Sequence, residues 1–121
     1  MRRNRIERNC PVSATLDMIG GKYKSLILWH LADATLRFGE LHRLIPQATP
    51  KMLTQQLREL EGDELIVRRV YAIVPPKVEY SLSGRGASIH PILEAMYAWG
   101  VDYLARNGLE ASCSMAEALQ K

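Results

Sequence analysis

The sequence predicts a mainly α-helical fold with one small β-hairpin, in a single domain covering residues 1–121. Three features of the chain lead to this prediction. Apolar residues recur at helical spacing along most of the chain, two short alternating segments flank Pro75-Pro76, and 121 residues are enough for one hydrophobic core but not for two. With 47% apolar and 24% charged residues, the composition is typical of a folded globular protein.

Two helices are predicted in the first quarter of the chain. The first begins at Cys10-Pro11, because proline suits the first helical position, and Gly20-Gly21 ends it. The second begins near Lys22 and is apolar over most of its surface, which predicts a position at the centre of the core.

The next segment contains the clearest boundary in the sequence. A short strand is expected at residues 36–38, and Gly39 is expected to cap a small third helix. Thr49-Pro50 then combines a hydroxyl N-cap with a proline at the first position of a fourth helix, which runs to about Glu61. Leucines lie on one side of this helix. The other side has a polar and basic face formed by Lys51, Thr54, Gln55 and Arg58.

The second half of the chain is predicted to form a hairpin and a long helix. Residues 65–74 and 77–82 alternate on either side of the proline turn. The long helix begins between Ser83 and Ser88 and ends near Arg106, and its apolar residues surround it almost completely. Since one side of this helix covers the protein's own core, the other side is expected to meet a second subunit. A weak tail helix is expected at residues 110–119.

The order of these elements is that of a winged helix-turn-helix, in which the fourth helix enters the major groove and the hairpin flanks it as a wing. Residues 20–58 hold six basic and two acidic side chains, a balance that attracts a polyanion such as DNA. The predicted base contacts are Lys51, Thr54, Gln55 and Arg58. The predicted contacts to DNA phosphates are Lys24, Ser25, Arg37, Arg43, Arg68, Arg69 and Lys77.

The chain resembles the HxlR family of bacterial transcription regulators over about residues 10–104. The matching strings are Cys10-Pro11, Gly20-Gly21-Lys22, Arg37-Phe38, Glu40-Leu41, and the segments 52–61 and 74–82. The resemblance implies a winged-helix fold related in architecture to MarR proteins, and a homodimer. The chain departs from the family pattern at Tyr23, usually tryptophan, at Glu64, usually glycine, and at Ser83-Gly84-Arg85, usually a Thr-Pro helix start.

A dimeric regulator is expected to have a winged-helix core at about residues 10–82 and dimerisation helices at about 84–119. The dimer-interface candidates are Val12, Leu16, Ile92, Met96, Trp99 and Tyr103. Because a two-fold dimer presents two recognition helices, its double-stranded DNA operator is expected to be an imperfect inverted repeat.

Cys10 is a candidate redox sensor. At a helix N-cap, the helix dipole together with Arg5 and Arg8 would favour the reactive thiolate. Some members of the resembled family sense oxidants or electrophiles through the cysteine at this motif, which implies an oxidant or small-molecule inducer here. The alternative is a small apolar thiol that fills a gap near the dimer interface, where burial would raise its pKa. Cys113 would be a resolving partner only if the tail folds back beside the first helix.

Other function classes have less support from the sequence. A winged-helix module that binds protein or RNA would need apolar anchors on the fourth helix, whose outer face is polar and basic. An enzyme is not expected, since no catalytic set or phosphate-binding loop occurs at useful spacing. The three histidines lack ligand spacing, so neither a metal nor a cofactor is expected, and two distant cysteines predict thiols. The longest uninterrupted aliphatic and aromatic run, residues 26–29, cannot span a bilayer, so we expect a cytoplasmic protein.

Overall fold

The structure, a computed structural model, describes residues 9–119, the last three by their backbone alone. Its elements are α1 (Pro11–Ile19), α2 (Lys24–Leu31), α3 (Phe38–Leu44), α4 (Pro50–Gly62), β1 (Ile66–Tyr71), β2 (Lys77–Leu82), α5 (Gly84–Arg106) and α6 (Ser114–Leu119). This order confirms the predicted mainly helical fold with one hairpin. None of the helices in the described range is long and apolar enough to cross a membrane.

Helix starts follow the predicted capping residues at two positions and differ at a third. Cys10 is the extended N-cap of α1, and the Thr49 hydroxyl accepts the Met52 N–H at 3.1 Å as the N-cap of α4. The prediction that Gly39 caps α3 is wrong. Arg37 is the N-cap, because the carboxylate of Glu40 accepts the Arg37 N–H at 2.8 Å and fixes the start of the helix two residues earlier.

The strand predicted at residues 36–38 is reduced to one residue. Leu36 exchanges two backbone hydrogen bonds with Tyr80 in β2, at 2.9 and 2.8 Å, and Phe38 already belongs to α3. In the hairpin, β1 and β2 are antiparallel, with Ile66 opposite Leu82 at one end and Tyr71 opposite Lys77 at the other. Leu36 therefore joins the base of the hairpin to the helical part of the fold.

The core lies around α2, as its apolar surface predicts. Ile27 and Leu28 are almost completely buried, and α2 contacts α4, α5, α6 and β2. The leucines on the inner side of α4, Leu53, Leu57 and Leu60, are buried in the same cluster. Burying this side of α4 leaves its polar face outward.

The end of α4 is fixed by a left-handed residue. Glu64 has φ of +61°, and the Leu65 N–H donates to the Leu60 carbonyl at 3.0 Å while the Glu64 N–H donates to the Glu61 carbonyl at 2.9 Å. These two bonds form a Schellman motif, in which glycine usually occupies the left-handed position. Glu64 is the residue that replaces the usual glycine of the resembled family, and the turn forms despite the replacement.

The start of α5 falls within the predicted window. Ser83 is its N-cap, and the Ser83 hydroxyl accepts the Gly86 N–H at 3.0 Å and donates to the Glu64 carbonyl at 2.6 Å. A Cβ at position 86 would collide with the carbonyl oxygen of Leu65. Ser83-Gly84-Arg85 thus differs from the usual Thr-Pro start of the resembled family but still contains an N-cap residue. The bond from Ser83 to the Glu64 carbonyl also connects the start of α5 to the turn between α4 and β1.

Candidate nucleic-acid interface

The polar face of α4 consists of the four side chains predicted to contact bases. Lys51, Gln55 and Arg58 are exposed and Thr54 is half-buried, and with Pro50 they line one continuous surface. The capped start of α4 and its buried leucines hold this face in a fixed orientation. The Gln55 side-chain N–H donates to Glu59 Oε2 at 3.4 Å, which orients the amide along the helix.

A cleft separates α4 from the hairpin, and we call it the wing cleft. It has a volume of about 330 Å³. Its lining residues are Thr54, Leu57, Arg58 and Glu61 from α4, and Arg68 and Tyr80 from the hairpin. Two arginines and one glutamate therefore line the same cleft.

The two neighbouring arginines of β1 lie on opposite faces of the hairpin. Arg68 lines the wing cleft, whereas the Arg69 guanidinium lies 5.2 Å from the centre of the Tyr71 ring, on the alternate face of the strand. Lys77 also lies over that ring, at 4.9 Å, and is 3.4 Å from a Glu79 carboxylate oxygen. A hydrogen bond from Tyr71, and then the charge of Lys77, lower the pKa of the Glu79 carboxyl. Lys77 is therefore partly neutralised by its neighbour on the wing.

The prediction that Lys24 contacts phosphate is wrong. Its side chain is only 2% exposed, and its ammonium lies 2.6 Å from Glu59 Oε1. The start of α2 packs against the side of α4, so the ammonium is directed into the protein and cannot reach a duplex. Ser25 is half-buried at the same helix start, and Arg37 and Arg43 are exposed around α3.

Sequence reasoning missed the residues that hold α4 against α2. Gln56 Oε1 accepts the Tyr23 N–H at 3.0 Å, and the Tyr23 hydroxyl donates to the Gln47 carbonyl at 3.3 Å. A Cβ at Gly21 would lie 2.6 Å from Gln56 Oε1, so the glycine permits this close approach. One feature of the sequence could have drawn attention to Glu59. It follows Gln55 by four residues, so the two side chains are neighbours on the surface of α4.

The predicted dimer residues are exposed apolar side chains on α1 and on α5. Trp99 is 70% exposed and stacks on Tyr103 with ring centres 5.6 Å apart. All six candidates are exposed in the single chain: Val12, Leu16, Ile92, Met96, Trp99 and Tyr103. Ile89 and Leu93, on the inner side of α5, are buried in the core.

Cys10 is half-buried at the start of α1, with Arg5 and Arg8 outside the described residues. Its side chain does not form an N-cap hydrogen bond that meets the usual distance and angle limits. The pKa of the thiol is nevertheless lowered, most of all by the nearby backbone N–H of Ser13, and then by the Ser13 hydroxyl and the Val12 N–H. Cys113 is exposed in the loop before α6, and both cysteines are free thiols. That helix packs against α2, with Ser114 Oγ 2.8 Å from His30 Nε2. Within residues 9–119, no three histidine, cysteine, aspartate or glutamate side chains are grouped to hold a metal ion.

Comparison with known proteins identifies similar regulators. A sequence model of the HxlR-like helix-turn-helix family matches residues 18–108. The HTH-type transcriptional regulator YdeP of Bacillus subtilis is 52% identical over 104 residues, which are 85% of this chain and 81% of YdeP.

Solved structures are similar over most of the fold. The crystal structure of the HTH-type transcriptional regulator ytcD has 55% identity and a TM-score of 0.76, covering 78% of this chain and 97% of that one. The redox regulator HypR in its oxidized form has 52% identity and a TM-score of 0.72, covering 75% of this chain and 94% of HypR. These similar proteins are transcriptional regulators rather than enzymes.

Proposed function

This chain belongs to the HxlR-like helix-turn-helix family of DNA-binding transcription regulators, and we propose that it binds an inverted-repeat operator as a homodimer. The observation that carries the proposal is the polar face of α4, which lies outward beside the hairpin while the leucines behind it are buried. A rigid helix with such a face fits the major groove. In this proposal the protein acts in the cytoplasm, because that is where its DNA operator is located.

In this proposal α4 is the recognition helix. Gln55 has the donor and acceptor groups that pair with adenine, Lys51 and Arg58 donate to guanine, and the Thr54 methyl group packs against thymine. The exposed cations around α4 bind phosphates and position the duplex. They are Arg37 and Arg43 near α3 and Arg68 and Arg69 on the hairpin, joined by the half-buried Lys77 of the hairpin and by Ser25 as a neutral donor at α2.

The homodimer forms through the exposed apolar residues of α1 and α5. Single exposed apolar residues are common on proteins, but a stacked Trp99–Tyr103 pair beside Met96 and Ile92 forms a larger patch, which typically marks a protein interface. A second copy that buries the same patch gives a closed two-fold dimer.

Regulation through Cys10 is the second part of the proposal. The lowered pKa of this thiol supports it, as does the similarity to a redox regulator crystallised in an oxidized form. An oxidant removes two hydrogens from two thiols, so that Cys10 forms a disulfide with a cysteine of the partner subunit or with a small thiol. Either product changes the dimer angle and the spacing of the two recognition helices. The alternative role is that of a structural thiol, for which oxidation leaves DNA affinity unchanged.

One experiment tests the DNA proposal. Duplexes selected from a random pool by the purified protein are aligned, and affinity is then measured by fluorescence anisotropy for the full site and for a single half-site. We expect an inverted repeat whose half-sites are about 34 Å apart, one helical turn, and weak binding to one half-site. A monomer in sedimentation that binds one half-site with full affinity would contradict the dimer, and selection without enrichment would favour a protein- or RNA-binding module.

A second experiment tests the thiol proposal. Operator affinity is titrated with diamide for the parent protein, Cys10→Ser and Cys113→Ser. We expect the parent and Cys113→Ser to respond and Cys10→Ser not to respond. If Cys10→Ser responds as the parent does, the sensor is another group.

A further inference from the structure

We propose that Arg58 and Arg68 bind one phosphate group together in the wing cleft. The proposal rests on the DNA-binding function, and it changes one assignment within it. Arg58 becomes a phosphate contact, which leaves Lys51, Thr54 and Gln55 to read base edges. The ligand chemistry is a phosphodiester, and its source is the DNA backbone.

The first argument is geometric. Arg58 comes from α4 and Arg68 from β1, so the two arginines line the cleft from two different walls. The walls are held together at their base, where Ser83 donates to the Glu64 carbonyl and Leu65 is completely buried. The cleft is therefore a fixed gap between the helix and the wing rather than a space between two loose elements.

The second argument is charge. Glu61 is the one carboxylate in the lining, against two guanidinium groups. Neither Arg58 nor Arg68 forms an ion pair within 4.0 Å with a carboxylate in the described part of the chain. Two arginines and one carboxylate leave the lining with an excess of one positive charge, which an anion bound in the cleft would neutralise. Thr54 and Tyr80, both hydroxyl-bearing residues, complete a polar lining.

The third argument distinguishes a phosphate from a base. Arg58 and Thr54 both line the polar face of α4 and the wing cleft, and of the two only Arg58 has the positive charge that favours a phosphate. Side chains in the middle of the polar face of a recognition helix reach the base edges in the major groove. Side chains at the margin of that face lie beside the sugar-phosphate backbone. The planar fork of a guanidinium group matches a phosphate with two parallel hydrogen bonds, so two arginines can share the oxygens of one phosphate.

The salt dependence of DNA affinity tests the proposal. The slope of log K against log salt changes by about 0.9 for each phosphate neutralised. We measure it for the parent, Arg58→Gln, Arg68→Gln and the double variant on one duplex. If both side chains share a phosphate, the double variant loses about 0.9 from the slope, and a loss of about 1.8 shows two separate phosphates and overturns the proposal.

Arg69 provides the matched control, since it neighbours Arg68 but lies on the other face of the hairpin. The single variant Arg68→Gln should lose little from the slope, because Arg58 still neutralises the shared phosphate, whereas Arg69→Gln by itself should lose about 0.9 if Arg69 has a phosphate of its own. Thermal unfolding of each variant confirms that it folds.

A second arm distinguishes the source of the phosphate. Inorganic phosphate replaces chloride at constant ionic strength, without DNA, and the thermal midpoint is compared between the parent and the Arg58, Arg68 double variant. If phosphate stabilises only the parent while the salt slopes are equal, the site takes a small phosphate compound instead of DNA. If neither quantity differs, the site does not exist. A parent that fails to bind any duplex contradicts the proposed function, while this arm still tests the site.

Discussion

The Lys24 ammonium lies 2.6 Å from Glu59 Oε1 and is shielded from solvent, so the start of α2 is pinned to the side of α4. Glu59 is itself 24% exposed, and its second oxygen accepts the Gln55 side-chain N–H. The Glu59 carboxylate therefore contacts both Lys24, at the buried junction of α2 and α4, and Gln55 on the polar face of α4.

This asymmetry in burial predicts unequal effects of removing each partner. Glu59→Gln leaves a buried ammonium without its counter-ion and should lower the free energy of unfolding by about 3 kcal/mol, whereas Lys24→Met leaves a carboxylate that water can reach and should lower it by about 1 kcal/mol. Urea unfolding measures both, with the exposed Lys22→Met as control. Equal losses would show that the burial difference does not matter.

Glu64→Gly should stabilise the protein. Glu64 holds φ of +61°, which costs a side-chain-bearing residue about 1 kcal/mol that glycine avoids, so the gain should approach this amount. The control is Glu61→Gly, the same exchange inside α4, which should destabilise by about 1 kcal/mol. Thermal midpoints measure both changes. A Glu64→Gly protein less stable than the parent would mean that chain entropy outweighs the strain.

Trp99→Glu should convert the dimer to a monomer. A charge in the centre of the apolar patch must be desolvated without a partner when two copies meet, so the dissociation constant should rise at least tenfold. Sedimentation equilibrium measures it. Val74→Glu is the matched control, because Val74 is 99% exposed on the wing and away from α5. If both variants dimerise as the parent does, the interface lies elsewhere.

Alkylation of Cys10 should have a pH midpoint below that of a free cysteine peptide, because the polar groups of Ser13 and Val12 stabilise the thiolate and lower the pKa of the thiol. Iodoacetamide rates are measured against pH on the Cys113→Ser protein. A lowered pKa keeps the thiolate populated as pH falls, so the rate at neutral pH should exceed that of a free cysteine peptide. Ser13→Ala removes the hydroxyl but keeps the N–H, and it should raise the midpoint part of the way. A parent midpoint at or above that of the cysteine peptide would refute the thiolate argument.

Gln55→Ala should relax sequence preference at one base pair of each half-site, by about 1–3 kcal/mol, while Lys77→Ala should weaken binding to every sequence equally. The first removes a paired donor and acceptor, and the second removes one charge on the wing. Affinities for a set of single-base variants of the selected site separate the two effects. A change in base preference from Lys77→Ala would reverse the assigned roles of helix and wing.

The pattern of apolar residues and caps predicted the order of the elements and most of their limits. Pro11, Thr49-Pro50 and Ser83 act locally, since their effects depend on backbone groups within one turn, and such effects can be read from sequence. The exposed face of α5 was also predictable, because a short chain has too little core to cover a helix that is apolar on all sides.

Contacts between distant segments were decided by the tertiary structure. Lys24 and Glu59 are 35 positions apart, and no helical period shows that one ends beside the other. Arg68 and Arg69 are adjacent and chemically identical, yet strand alternation and the position of α4 put one in the wing cleft and the other over Tyr71. The sequence thus determined the elements and the kind of partner, because both follow from local pattern and charge. The packing of α2 and the wing against α4 decided which charges remain free to meet that partner, because burial is a property of the assembled chain.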